Sequence, residues 1–210
     1  MFLENKNNKD KIIETAFSLS LKQGFDNVSI KQIQKEASVS AGSIYYHFED
    51  KNDILASMIE RFINKQIERY GENIRKYDGN FYEKLNFIFY HHVGGEINDE
   101  NFAIELSDNN RIDPTEYDLF TLGVYHQHPE FRPLFEEFNR DLIKIYEEFI
   151  EEFKEKNEIS NDIDTKDTAI YILTVLAGFA KLWVALPDFP FEKFVDINVK
   201  MICDTLGYQK

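Results

Sequence analysis

The chain has 210 residues, 43% of them hydrophobic, which suits a folded core and excludes general disorder. Its 24 Lys and Arg against 38 Asp and Glu give a net charge of −14, and Cys203 is its one cysteine, which excludes a disulfide-stapled scaffold and fits a reducing compartment. Residues 1–65 carry 9 basic and 9 acidic side chains and the remainder 15 and 29, so a phosphate-bearing partner or an anionic membrane has only the neutral first third to meet.

The start, Met1 to Asn8, lacks the apolar stretch of a signal peptide, and a cytoplasmic protein is expected. Apolar spacing is helical almost everywhere and strand-like alternation is nearly absent. Ile12, Ile13, Ala16, Phe17 and Ser20 share one face of a first helix, which Gly24 stops. Ser29 caps a short helix carrying Ile30, Ile33 and Ala37, and Ser40 caps a third carrying Ile44 and ending near Phe48. Asp50 opens a long helix with apolar positions from Ile54 to Ile74, a run of roughly six turns.

Further helices follow at 80–94, with Phe81, Leu85, Ile88 and Phe89, and at 114–126; the polar stretch 95–113 between them reads as a loop or broken helix. After a break at His128-Pro129, a long helix spans 129–157 with Phe131, Phe135, Leu142, Tyr146, Phe149 and Phe153 inward and a glutamate-rich outer face that water solvates. Thr165 is placed to cap a helix over 166–186, and Pro187 and Pro190 separate it from a last helix at 190–206. The run from Ala169 to Leu186 is long enough to span a bilayer, but Lys181 within it would cost about 2.5–3.5 kcal/mol there. A fully buried helix of a soluble protein is expected instead.

Function concentrates in the first fifty residues. The second and third helices, joined by Ala37-Ser38-Val39, make a helix-turn-helix with Val39 as apolar anchor. Ser40-Ala41-Gly42-Ser43 forms a first turn of small side chains that lets the backbone approach a major groove, with a helix N-terminus that favours phosphate. Tyr45, Tyr46 and His47 add hydroxyl and ring N–H donors. Lys51 falls in the first turn of the next helix, against that helix's dipole, which asks for an anion outside it. Ser40, Ala41, Ser43, Tyr46 and His47 are expected at bases or adjacent phosphates, and Ser29, Lys31, Tyr45 and Lys51 on phosphate.

The stretch IIETAFSLSLKQGFDNVSIKQIQKEASVSAGSIYYHFEDKNDIL, residues 12–55, resembles the DNA-binding domain of the TetR family of one-component regulators. Val39 to Phe48 followed by Lys51 carries most of the likeness, with Ala16, Gly24, Ser29, Ile33, Ala37 and Leu55. The chain departs from the family at Gln34, where a small residue is usual, and at Ser38, where glycine is frequent; positions 40–48 hold no Lys or Arg. The expected fold is all-α, with a helix-turn-helix DNA-binding domain over residues 1–52 and a larger helical ligand-binding and dimerisation domain over 53–210.

The resemblance implies a repressor that binds double-stranded operator DNA and is released by a small-molecule effector. Of 31 aromatic residues, 25 follow residue 60, enough to line an apolar pocket. The candidates are Phe62, Phe87, Tyr90, His91, Phe120, Tyr125, Phe138, Tyr171 and Trp183. An acidic domain with buried aromatics suits a cationic aromatic ligand, and a fatty or acyl ligand is equally allowed. Helices 166–186 and 190–206 carry surplus apolar surface, with Ala169, Leu173, Leu176, Ala177, Ala180, Trp183 and Val184 facing a second copy. A twofold dimer asks for a near-palindromic operator.

No cofactor and no bound metal are expected. His91-His92 and His126-Gln127-His128 lack the i,i+3 or i,i+4 spacing of a helical metal site, although Glu105 or Asp108 could complete one. A helical scaffold without a DNA partner is the competing reading, favoured by the neutral first third, and a helical enzyme using His91, His92 and Glu105 is a third.

Overall fold

The architecture is a computed structural model that describes residues 7–92, 114–186 and 188–208. Its regular structure, among the described residues, is helical throughout: α1 (Asn8–Gln23), α2 (Ile30–Glu36), α3 (Ala41–His47), α4 (Lys51–Ile59), α5 (Lys65–Lys76), α6 (Phe81–His92), α7 (Pro114–Gln127), α8 (Arg132–Glu155), α9 (Thr165–Ala185) and α10 (Phe191–Thr205). The expected loop at 95–113 lies outside the described residues, as do Glu105 and Asp108.

The caps explain where the first helices start. Asn7 accepts a hydrogen bond from the Lys9 amide, Ser29 and Gln32 form a reciprocal capping box, Ser40 accepts from the Ser43 amide and Asp50 from that of Asp53. After α1, Gly24 takes φ +77° and ψ 144°, a backbone region open essentially to glycine alone.

The chain divides into two compact units, one of residues 1–66 with 104–136, the other of 67–103 with 137–210. In the first, Phe17 is the hub: its ring stacks on Phe62 at 4.0 Å and meets the edges of Phe120 at 5.2 Å and Tyr117 at 6.4 Å. Helix α7 thus closes a core built by α1 and the turn that follows α4. Arg61 ties α1 in from the other side, pairing with Asp10 at 2.7 Å and with Glu14.

The long helix expected from Asp50 to Ile74 is not uniform. A π-helical turn at Glu60–Asn64 separates α4 from α5, and within it the Phe62 carbonyl accepts a hydrogen bond from the Tyr117 hydroxyl at 3.0 Å. A π turn disturbs the regular backbone ladder, and here a side chain from another helix supplies a partner.

The second unit packs Phe81, Leu85, Phe89, Tyr146, Phe149, Phe153, Ile172, Leu176, Val195, Val199 and Ile202 into one core. Lys84 lies inside it, 1% exposed, with its ammonium 2.6 Å from Glu152. A buried ion survives only when paired. Burial raises the Glu152 pKa, but hydrogen bonds from Lys156 and Lys84 outweigh that and hold the carboxyl below its ordinary range.

Three expectations need correction. Helix α9 is not fully buried: Ile170, Tyr171 and Leu182 are 42%, 40% and 54% exposed, while Ala169, Ile172, Leu176 and Phe179 face inward. Of the residues assigned to a partner face, Ala169 and Leu176 therefore serve this chain's own core; a helix apolar all round gives no phase by which to choose a face. Thr165 is not the cap of α9, because Asp164 accepts from the Asp167 amide at 2.8 Å and Thr165 turns its hydroxyl to Glu151. Among the described residues, no helix is long and apolar enough to cross a membrane.

Candidate nucleic-acid interface

The turn between α2 and α3 is closed by the Ala37 amide on the Ile33 carbonyl and the Val39 amide on the Gln34 carbonyl. Between them Ser38 takes φ +53°, a left-handed conformation that a side chain tolerates at about 1–2 kcal/mol. The departure from glycine noted in the sequence thus falls at a position whose backbone favours glycine. Ile33, Phe48 and Leu55 are buried beneath the turn as expected, but Val39 is only half-buried.

Helix α3 presents its outer surface almost unhindered. Tyr45 and Tyr46 are 62% and 84% exposed. Ala41 and Gly42 are exposed beside them, with Ser43 and His47 half-buried. A Cβ built on Gly42 would meet only the Ser40 hydroxyl oxygen, at 3.9 Å, so packing within the chain does not require glycine there.

Ser29 and Lys31 lie exposed at the start of α2. Lys51 is held more closely than its sequence position suggests. Its ammonium donates to the Asp26 carbonyl at 3.2 Å and sits 4.3 Å from the centre of the Phe25 ring. Burial lowers its pKa, against a smaller opposing pull from Asp26. An internal carbonyl and ring therefore also accommodate this lysine, and an outside anion is not the only explanation for it.

Sequence reasoning missed Asn8. Its side-chain amide donates to the Ser43 hydroxyl at 3.1 Å, bringing the start of α1 against α3 across 35 positions of sequence. It also missed the turn Phe25–Asn27, against which His128 and Lys51 both rest. Neither contact leaves a local pattern, since periodicity reports only a residue's own helix.

The nine effector candidates do not form one group. Phe62 and Phe120 are part of the Phe17 core. In the second unit, Phe87 and His91 come together, with His91 stacked on Tyr70 at 4.8 Å and Phe87 on Tyr77 at 4.3 Å. Tyr90 and Trp183 both meet the Phe191 ring, at 5.1 and 5.2 Å. Phe138 is half-buried against the same core, Tyr171 is exposed, and Tyr125 stands exposed against Phe135. The Tyr70 and Tyr146 hydroxyls are hydrogen-bonded to each other, and burial raises both phenol pKa values. Burial lowers the pKa of His91 to about 4, with help from His92 and Arg69, and that of His92 to about 4. Both imidazoles are therefore neutral at pH 7, inside an apolar wall.

Among the described residues, no three His, Cys, Asp or Glu side chains converge on a metal-sized site. His126 is exposed, whereas His128 is hydrogen-bonded to Asp26. Burial pushes the Cys203 thiol up to about 11, which makes it unreactive.

Residues 12–58, from within α1 to within α4, match the model of the bacterial regulatory proteins of the tetR family. This chain therefore carries a DNA-binding domain of the tetR-family type over residues 12–58. It is a DNA-binding transcriptional regulator, not an enzyme. The fatty acid metabolism regulator protein of Bacillus subtilis is 24% identical over 174 residues, 83% of this chain and 82% of that protein. The negative transcriptional regulator IcaR of the biofilm operon icaADBC of Staphylococcus epidermidis is 31% identical over 84 residues, 39% of this chain and 45% of its own length. The structure of FadR from Bacillus subtilis in complex with stearoyl-CoA superimposes with a TM-score of 0.64 at 22% identity, over 93% of this chain and 96% of that one. TetR-family regulators act on operator DNA as dimers and respond to small molecules.

Proposed function

We propose that this TetR-family regulator is a cytoplasmic repressor that binds a near-palindromic operator as a homodimer and is released by a long-chain acyl compound. Residues 1–52 form the DNA-binding domain and residues 53–210 the ligand-binding and dimerisation domain. Ser40, Ala41, Gly42, Ser43, Tyr46 and His47 meet bases and neighbouring phosphates; Ser29, Lys31, Tyr45 and Lys51 grip the backbone. The exposed apolar stripe of α9, with Ile170, Tyr171 and Leu182, meets a second copy of the chain.

One observation carries the choice of effector. The family model stops at residue 58, but the likeness to the fatty acid metabolism regulator runs over 83% of the chain and so takes in most of the sensing body. The Phe-rich core of that body suits an acyl tail, and the neutral His91 beside Tyr70 offers polar partners without a charge. A specific observation favours a second reading: 29 acidic against 15 basic side chains after residue 65 favour a cationic aromatic effector. A ligand that binds one head spacing better shifts the population away from the DNA-competent form.

The test is a titration of the protein–operator complex with stearoyl-CoA, stearate and a cationic dye such as ethidium. Release by an acyl compound at concentrations where the dye does nothing supports the proposal. Release by the dye alone overturns it.

A further inference from the structure

We propose that His128, at the end of the α7 segment, is a positioning residue for DNA binding that acts through the Phe25–Asp26 turn to hold Lys51 ready for phosphate. The proposal rests on the DNA-binding role of the head and adds a residue outside it, 102 positions from the turn that it touches.

Three contacts make the chain of action, all within the first compact unit. The His128 Nε2 lies 3.0 Å from the Asp26 carboxylate, and its Nδ1 3.5 Å from Glu130, so the ring is clamped between two acids. The same ring packs edge-on against Phe25 at 5.5 Å, and its side chain is only 12% exposed. The other side of the turn receives Lys51, through the Asp26 carbonyl and the Phe25 face.

The physics favours preorganisation. A lysine side chain carries about 2 kcal/mol of rotamer entropy, part of which any phosphate contact must overcome. Seating the ammonium on Phe25 and on one carbonyl occupies one of its three donors and leaves two for a phosphate oxygen. Asp26 is an awkward neighbour, because a free carboxylate beside Lys51 opposes an incoming phosphate. His128 engages that carboxylate and buttresses the ring that Lys51 rests on. A residue contributed by the α7 end thereby sets the posture of a residue at the start of α4.

The experiment is a double-mutant cycle on the full-length protein, with His128→Ala, Lys51→Ala and the double variant. Each is titrated against the duplex enriched from a random-sequence pool by the wild-type protein, at several salt concentrations. His128→Ala is expected to weaken binding about threefold to tenfold, as coupled contacting residues do. It should also flatten the slope of log K against log salt by up to about 0.9 per head, the share of one phosphate. In the Lys51→Ala background the His128→Ala change should cost nothing more. His128→Gln keeps a donor for Asp26, and it should restore the salt slope if His128→Ala disturbs folding by far-ultraviolet circular dichroism. Unchanged or tighter binding by His128→Ala, or a full additional loss in the double variant, overturns the proposal. A wild-type protein that enriches no duplex removes the DNA-binding role itself, and with it this inference.

Discussion

The head and the body of this protein differ in how their chemistry is written. The head, residues 1–65, is electrically neutral and poor in aromatics, and the surface proposed to meet DNA is a few small and hydroxylated side chains on two short helices. The body is acidic and crowded with rings, and its groups of interest are buried and paired: Lys84 with Glu152, Tyr70 with Tyr146, His91 on Tyr70. A surface built from a continuous run of sequence can be recognised from that run. A wall assembled from distant helices cannot, because each aromatic looks the same from its own helix whether it fills a core or lines a pocket.

The contrast breaks most readily at Lys84. Glu152→Ala strands the buried Lys84 ammonium in the core and should cost about 3–5 kcal/mol in denaturant unfolding, whereas Lys84→Met, of similar volume, should cost much less, since Glu152 is partly exposed and keeps Lys156. An Ala variant as stable as wild type would show that the body does not depend on this pair.

The next effect concerns pH. His91 and His92 have folded pKa values of about 4 against an ordinary 6.5, so the unfolded chain binds more protons between those values. Stability contributed by their burial is present above pH 6.5 and is lost as pH falls towards 4. The melting temperature should fall over that window, and His91→Gln should flatten the fall. An equally steep fall in the variant would assign the protons elsewhere.

In the head, changes are expected to separate affinity from preference. Tyr45→Phe and Lys51→Ala should weaken all duplexes alike, while changes at Ala41 or Ser43 should alter sequence preference by about 1–3 kcal/mol per lost contact. The opposite pattern in binding titrations would reverse the roles given to these residues.

The smallest effects separate stability from binding at two neighbouring positions. Gly42→Ala should stabilise the free protein by about 0.5–1 kcal/mol, since alanine favours the helix and the space is open, yet weaken DNA binding by blocking close approach. Ser38→Gly should stabilise by about 1 kcal/mol by relieving the left-handed backbone, with binding unchanged. If Gly42→Ala bound DNA as wild type does, the close approach assigned to that residue would be wrong.

What could be read from the sequence follows the same division. The caps at Ser29, Ser40 and Asp50 are all in place, because a cap acts within three residues of itself. The α9 cap is Asp164, one residue before the expected Thr165, since both residue types suit the position. The π turn at Glu60–Asn64 left no mark, as the apolar period continues through it. Asn8 on Ser43 and His128 on Asp26 were invisible for a different reason: they join residues 35 and 102 positions apart through folded geometry alone.

The roles given to individual residues all depend on DNA contact being confined to the neutral head. Selection of the purified protein against random duplex DNA, repeated over a range of salt concentrations, tests it most directly. The expected result is an enriched inverted repeat whose half-sites lie about one helical turn, or a multiple of it, apart. Its salt slope should be shallow, within what Lys9, Lys11, Lys22, Lys31, Lys35 and Lys51 of each head can neutralise. No enriched sequence, or a slope steeper than those lysines can supply, would contradict it.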